Sequence, residues 1–362
     1  MKYYIIAGEA SGDLHGSNLI KGLKEADPQA QFRFWGGDLM EQAADTKPVK
    51  HYKESSIMGY LEVLMNLRKI VGFLRDCQRD VKAWQPDVLI LIDYPGFNFK
   101  MAKFAKANGI KTFYYIAPKV WAWKEGRVKL IQKYVDELFV IFPFEVDYFR
   151  KFSIEAHYFG NPLMDSVSER GEVEKDNIVA LVAGSRKHEI DHNLPTMVEI
   201  SRAFPDYRFV VTAVPWLDKA IYDKYLIGSN VEYICNETYS TIARSRAALV
   251  TSGTATLETA LLGVPQVVCF RGPAVSMWIA ARLVKLKWIS LVNLVMNRTV
   301  VTELIQSDFT VGKGCDELRA ILPGGSKIDK ISADYKELYA KIGSAGASQR
   351  VAKEMYGQLA KR

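Results

Sequence analysis

The chain has 362 residues, 49% of them hydrophobic and 25% charged, and a formal net charge of +7. That length suits two packed domains better than one, and the charged fraction is that of a globular protein. The four cysteines (Cys77, Cys235, Cys269, Cys315) form no CxxC, which argues against zinc ribbons and a disulfide framework and fits a reducing compartment. Every stretch of some 20 residues carries charge, which argues against a membrane span. The apolar run after Met1-Lys2 is too short for a signal-peptide core. The basic excess fits either an anionic ligand or a merely basic surface.

In chain order, "KYYIIAG" reads as a first strand and residues 15–26 as a helix. "FRFWGG" is a strand, and residues 59–84 have helical periodicity. "PDVLILID" is a continuous apolar run closed by a carboxylate. It is followed by the helix "FKMAKFAKANG" and the strands "KTFYYIAP" and "ELFVIFP". Residues 161–177 are polar, contain Pro and Gly, and read as a linker. The alternation then restarts. Strands "IVALVAG", "YRFVVTAV", "VEYIC", "AALVTSG" and "PQVVCF" are separated by helices near 195–204, 217–226, 239–245 and 254–262. Residues 315–362 look helical and polar. Uninterrupted apolar strands alternating with helices predict α/β, doubly wound parallel sheets. The predicted division is 1–165, 175–340 and a helical tail 341–362, with the two sheet domains facing across a cleft. Ligands of such sheets bind at the carboxyl ends of strands.

Several stretches at strand ends could carry chemistry. "GEASGDLHG" (8–16) is neither a Walker loop nor a G-x-G-x-x-G turn. Its carboxylates Glu9 and Asp13 suit hydroxyl groups better than phosphates; the plainer reading is a glycine turn capped by Asp13. Asp93, in "LIDYPGFN", is either a base for a sugar hydroxyl or a cap for the helix from Phe97. "VAGSRKHEI" places Arg186 where it could clamp a diphosphate or simply be solvated. "VTSGTATLE" opens a helix with small residues, whose amides and dipole favour a pyrophosphate, and Glu258 could accept from ribose hydroxyls. An ordinary cap by Ser252 or Thr254 is the alternative. His188, Glu189 and His192 match H-E-x-x-H, but Pro195 follows closely and no third acidic ligand is evident, so no metal is expected. The segments 55–74 and 276–296 are basic and rich in apolar residues. Each is either a buried core helix or a surface for an anionic bilayer or acyl chains.

Together "GEASGD", "IMGYLEVL", "PDVLILIDYPGFN", "VWAW" (120–123), "GSRKHEI", "TSGTATLE" and "SLVNLVMNRTVVTELIQ" (290–306) resemble the lipid-A-disaccharide synthase family, in family order from residue 7 to about 306. The resemblance implies a GT-B glycosyltransferase. It would join UDP-2,3-diacylglucosamine to 2,3-diacylglucosamine 1-phosphate with inversion, giving a β-1,6-linked disaccharide 1-phosphate and UDP. It implies Asp93 as the base. The donor site would be Gly184, Ser185, Arg186, Ser252, Gly253, Thr254, Ala255 and Glu258, with Asn293 and Glu303 as further lining. The acceptor side would be Gly8, Glu9, Ser11, Gly12 and Asp13, and the acyl or membrane contacts Met58, Leu61, Leu64 and Met65. No cofactor, metal or nucleic acid is implied. The location implied is cytoplasmic, at the anionic inner face of the inner membrane; family members can exchange C-terminal elements in a homodimer.

Two departures stand out. Gly96 replaces a second Asp of the family pattern D-x-P-D-F-N, which puts more weight on Asp93. "APK" stands where the family has Ser-Pro-Ser, so Lys119 bears on acceptor-phosphate binding. Rival readings are other GT-B proteins acting on UDP-N-acetylglucosamine (a peptidoglycan-precursor transferase or a 2-epimerase) and a non-catalytic peripheral module. The peptidoglycan-precursor transferase would not match "GEASGD" or "IMGYLEVL", and the epimerase would not require acyl-binding surfaces.

Overall fold

The computed structural model describes residues 1–55, 67–122, 125–168, 173–273 and 287–361. They form two compact units, Met1–Pro162 together with Ser344–Arg362, and Leu163–Gly343.

The first unit holds a parallel sheet of β1 (Lys2–Ala7), β2 (Gln31–Gly36), β3 (Lys50–His51), β4 (Val88–Ile92), β5 (Lys111–Tyr115), β6 (Glu137–Val140) and β7 (Ala156–Tyr158). Its order is β3-β2-β1-β4-β5-β6-β7. Strands β1 and β4 are therefore neighbours whose chains run off in opposite directions, and the crevice at their carboxyl ends is where such a sheet binds ligands. Register pairs Ala7 with Ile92 and Ile92 with Tyr115, so the exits Gly8, Asp93 and Ile116 lie side by side.

Helices cover both faces because the central strands are buried on both. Helix α1 (Ala10–Ala26) packs on one face. Helices α3 (Leu67–Trp84), α4 (Pro95–Ala107) and α5 (Val128–Tyr134) pack on the other. Helix α2 (Asp38–Ala44) adds Met40, Ala43 and Ala44 to the α1 side. Helix α1 begins at Ala10, five residues earlier than the sequence pattern predicts, which puts Ser11 and Asp13 inside it. Helix α6 (Pro143–Arg150) follows β6.

The second unit has the order β10-β9-β8-β11-β12-β13. Its strands are β8 (Ile178–Val182), β9 (Arg208–Ala213), β10 (Val231–Cys235), β11 (Ala247–Thr251), β12 (Gln266–Phe270) and β13 (Glu303–Ile305), all parallel. Its switch point lies between β8 and β11, so the loops carrying Gly184-Ser185-Arg186 and Ser252-Gly253-Thr254 leave adjacent strands. Its helices include α7 (Lys187–Ser201), α8 (Ala220–Leu226), α9 (Thr238–Arg244), α10 (Thr254–Leu261), α11 (Leu291–Met296), α12 (Val311–Ile321) and α13 (Ile328–Ile342). Pro195 sits inside α7 and does not end it; the helix starts at Lys187 rather than near 195. The polar stretch after Pro162 includes a short helix, Leu163–Ser168.

The last helix, α14 (Ala347–Ala360), returns to the first unit. Val351, Ala352, Met355 and Leu359 join the α1 core. Gly22 permits the approach, since a Cβ there would lie 2.9 Å from the Ala352 methyl. Arg350 fixes the return by donating to the carbonyls of Phe159, Ser344 and Ala345. No helix among the described residues is long and apolar enough to cross a membrane.

Candidate active site

At the first switch point the chain makes an unusual turn. Asp93 (φ 41°) and Tyr94 (φ 47°) are consecutive left-handed residues, and Ile116 at the neighbouring exit has φ 62°. Such conformations are costly for side chains larger than glycine and persist only when their surroundings hold them. Buried Asn98 does so, donating from Nδ2 to the carbonyls of Ile92 (3.2 Å) and Asp93 (2.7 Å). The Tyr114 hydroxyl also donates to the Asp93 carbonyl, at 2.6 Å. Gly8 lies under the Tyr94 ring, where any side chain would collide with it.

The Asp93 carboxyl is thereby held at the strand end and is not a helix cap. Helix α4 starts at Pro95 behind Tyr94 with no side-chain cap, so the capping alternative falls. Burial, reinforced by the nearby Glu9 charge, lifts the Asp93 pKa to about 6, against the opposing pull of Lys119 and the Tyr94 backbone N–H. A carboxylate with that value accepts a proton readily while remaining ionised at neutral pH.

The other residues of "GEASGD" divide. Glu9 is half-buried, accepts a hydrogen bond from the Ser11 hydroxyl (2.9 Å) and faces Asp93 electrostatically. Gly12 packs against Ala7, where a Cβ would sit 3.1 Å from the Ala7 methyl. Asp13 departs from the expected acceptor role. It is 3% exposed, and its carboxylate accepts the backbone N–H groups of Gly37 (2.7 Å), Leu39 (3.1 Å) and Met40 (3.1 Å). It caps α2 from across the unit, satisfying amides at that helix start.

In the second unit Gly184 has φ 119°, and a Cβ there would lie 2.5 Å from the Glu189 Cβ. The Glu189 carboxylate folds back over the loop, accepting Ser185 N–H (2.8 Å), Arg186 N–H (3.2 Å) and Arg186 Nη1 (2.9 Å). Glu189 therefore shapes the "GSR" turn, and His192 Nδ1 is hydrogen-bonded to the His188 carbonyl (2.6 Å). No cluster of metal-ligating side chains occurs among the described residues. Arg186 is exposed, with its guanidinium anchored at one nitrogen. We expect Gly184→Ala to strain this loop and clash with Glu189, destabilising the second unit by about 1–3 kcal/mol in chemical denaturation.

Helix α10 begins behind Gly253 without any side-chain cap, so neither Ser252 nor Thr254 plays that part. Gly253 and Thr254 are exposed, and the first amides of a helix have no partner within the helix itself. The Ser252 hydroxyl instead donates to the Ile289 carbonyl (2.9 Å). Glu258, one turn in, is pushed up by burial and held by the Tyr239 hydroxyl.

Asn293 and Glu303 do not line the loop directly. Asn293 is fully buried, and its amide is saturated: Oδ1 accepts Val300 and Val301 N–H, while Nδ2 donates to the Val301 carbonyl and Glu303. Glu303 accepts the Ile289 and Ser290 amides. Together they brace the turn that Ser252 grips, one step behind the loop that leaves β11. Met58, Leu61, Leu64 and Met65 lie outside the described residues.

The sequence reading missed Asn98 and Tyr114. The only hint was Asn98 within "PGFN"; Tyr114 carries no local pattern.

Comparison with known proteins then decides the family. The family model described as "Lipid-A-disaccharide synthetase" matches residues 3–356. The chain belongs to the lipid-A-disaccharide synthase family. A lipid-A-disaccharide synthase of Syntrophus aciditrophicus is 36% identical over 373 residues, covering 96% of this chain and 95% of that protein. One of Geobacter metallireducens is 36% identical over 374 residues, covering 99% and 97%. Membership makes the chain a glycosyltransferase of lipid A biosynthesis, with a UDP-sugar and a lipid acceptor as substrates. Among solved structures, the UDP-GlcNAc 2-epimerase of Neisseria meningitidis bound to UDP-GlcNAc aligns with TM-score 0.66 at 12% identity (99% of this chain, 100% of that one). The calicheamicin glycosyltransferase CalG4 aligns with TM-score 0.62 at 15% identity (99% and 98%). These likenesses establish the GT-B fold alone; the epimerase reading has no support beyond it.

Proposed function

We propose that Asp93 is the general base of an inverting transfer from UDP-2,3-diacylglucosamine to the 6-hydroxyl of 2,3-diacylglucosamine 1-phosphate. The acceptor oxygen forms a bond to the anomeric carbon as the bond from that carbon to the UDP oxygen breaks. The hydroxyl proton passes to Asp93, and the electron pair leaves with the β-phosphate of UDP. The observation that carries this reading is the Asp93 carboxyl itself, free of capping duty and lifted to about 6 at the switch point. Glu9 and Ser11, at the adjacent strand exit, orient the acceptor hydroxyls.

The donor diphosphate is assigned to the "GSR" and "SGTA" loops of the second unit. Thr254 and Ala255 amides, the α10 dipole and Arg186 neutralise the charge that develops on the leaving group. Glu258 takes the ribose hydroxyls. Both substrates carry acyl chains, so the enzyme works peripherally on the anionic cytoplasmic face of the inner membrane, and the net charge of +7 favours that surface. A homodimer is part of the same family reading.

The test is direct. Purified protein in detergent receives both lipid substrates and a chelator, and the product is read by mass spectrometry. Disaccharide 1-phosphate with equimolar UDP is the expected result. Consumption of UDP-N-acetylglucosamine in its place, with no disaccharide, would move the chain to a different GT-B chemistry.

A further inference from the structure

The connection that leaves β5 carries charge that the transfer as described does not use. After Ile116 the chain turns tightly at Pro118 and Lys119, with Val120 N–H bonded to the Pro118 carbonyl and Ala122 N–H to that of Lys119. The turn is anchored by Trp121, whose indole nitrogen donates to Glu145 Oε1 at 2.9 Å. Glu145 is only 1% exposed, and its other oxygen accepts Ile141 N–H (3.2 Å) and Phe142 N–H (3.0 Å). Burial lifts this carboxyl to about 7 in spite of those bonds. Trp121 also meets Phe142 and Phe144 edge-on. The brace thus ties the exit of β5 to the exit of β6.

On this braced turn the Lys119 side chain is exposed and forms no ion pair among the described residues, yet its charge reaches both Asp93 and Glu145. Farther along the same connection, half-buried Arg127 likewise forms no ion pair among the described residues. Its charge reaches the Tyr114 hydroxyl that holds the Asp93 carbonyl. Of these two cations, only Lys119 acts on the Asp93 carboxyl itself. An uncommitted ammonium beside a general base weakens it, so its presence there calls for a different duty. The acceptor supplies one. In a glucosamine ring the 6-hydroxymethyl group and the anomeric substituent are carried by the two carbons that flank the ring oxygen. A 6-hydroxyl at Asp93 therefore sets an anomeric phosphate one ring width away.

We propose that Lys119, held in register by the Trp121–Glu145 brace, receives the anomeric phosphate of the acceptor and makes the enzyme select a phosphorylated sugar. The assignment rests on the acceptor reading given under Proposed function. Lysine is a point-charge partner for phosphate, and a charge-assisted contact of this kind discriminates by about 10–100-fold. A second consequence follows from the groups around Asp93. Glu9 from the β1 exit raises it; Lys119 from the β5 connection and the Tyr94 N–H lower it. Phosphate bound to Lys119 cancels the main opposing charge, so the base is stronger in the acceptor complex than in the free enzyme. The acid limb of kcat then lies at higher pH than that of kcat/KM.

The experiment compares wild type, Lys119→Met and Lys119→Arg with the 1-phosphate acceptor and its dephosphorylated counterpart at saturating donor. Thermal unfolding confirms that the exposed substitutions leave the fold intact. The wild type should prefer the phosphorylated acceptor. Lys119→Met should lose about tenfold or more of that preference, chiefly through KM, together with the gap between the two acid limbs. Lys119→Arg should keep most of both. An active wild type whose Lys119→Met variant keeps the full preference and the gap overturns the phosphate site and leaves the transferase reading standing. A wild type that forms no disaccharide from either acceptor overturns both.

Discussion

Asp93→Asn should reduce kcat by about 10²–10⁴-fold, the usual contribution of a positioned general base, while KM for both substrates changes little. Asparagine fills the same space and leaves the carbonyl contacts of Asn98 and Tyr114 in place, but it takes no proton from the acceptor. The wild-type kcat/KM should rise with pH through about 6, as the carboxyl ionises, and level off above it; the variant should lose that limb. Stability should move the other way. The folded carboxyl titrates at about 6 against an ordinary value of 3.8, so the folded state binds its proton more tightly than the unfolded chain does. Ionised Asp93 therefore costs stability. The cost is absent below the ordinary value, grows between the two values and is complete above the folded one. At pH 7–8 Asp93→Asn should be more stable than wild type by on the order of 1–3 kcal/mol in chemical denaturation. A variant that keeps full activity would assign the proton to another group, with Glu9 the nearest carboxylate to examine.

Asp13→Ala should do the opposite. It removes a buried carboxylate that accepts three backbone amides at the start of α2. Amides left without partners in a dry site cost about 1–3 kcal/mol together with the lost cap, so a total of about 2–4 kcal/mol is expected in urea unfolding. The folded fraction should turn over with near wild-type KM for the acceptor. A raised acceptor KM with unchanged stability would return Asp13 to the binding surface. The two aspartates lie in motifs of similar appearance, each just beyond an apolar strand, and they separate cleanly by these two readouts.

That pair shows where the sequence runs out. A carboxylate's role depends on which donors surround it, and those of Asp13 lie 24 to 27 positions away, on an element with no signal of its own. Glu189 was legible as part of a motif, but its duty of closing the "GSR" turn follows from side-chain direction. Asn293 was legible as a polar residue of the motif at 290–306. Only the packed turn reveals that each of its hydrogen-bonding positions is spent on the backbone.

The sequence by itself determined the two doubly wound sheets, the position of each motif at a strand end, and the family. Long apolar strands, helical periodicity and glycine turns are local signals, and the motifs keep their order along nearly the whole chain. The edge strands β3, β7 and β13 escaped because two or three residues carry no periodicity. The tertiary structure alone decided the strand order that sets Glu9 beside Asp93, and the left-handed turn that keeps Asp93 from capping α4. It also decided the brace that anchors the turn carrying Lys119 and the return of α14 to the first unit. Each of these depends on contacts between residues far apart in the chain, where burial and hydrogen-bond saturation are settled by packing rather than by neighbours in sequence.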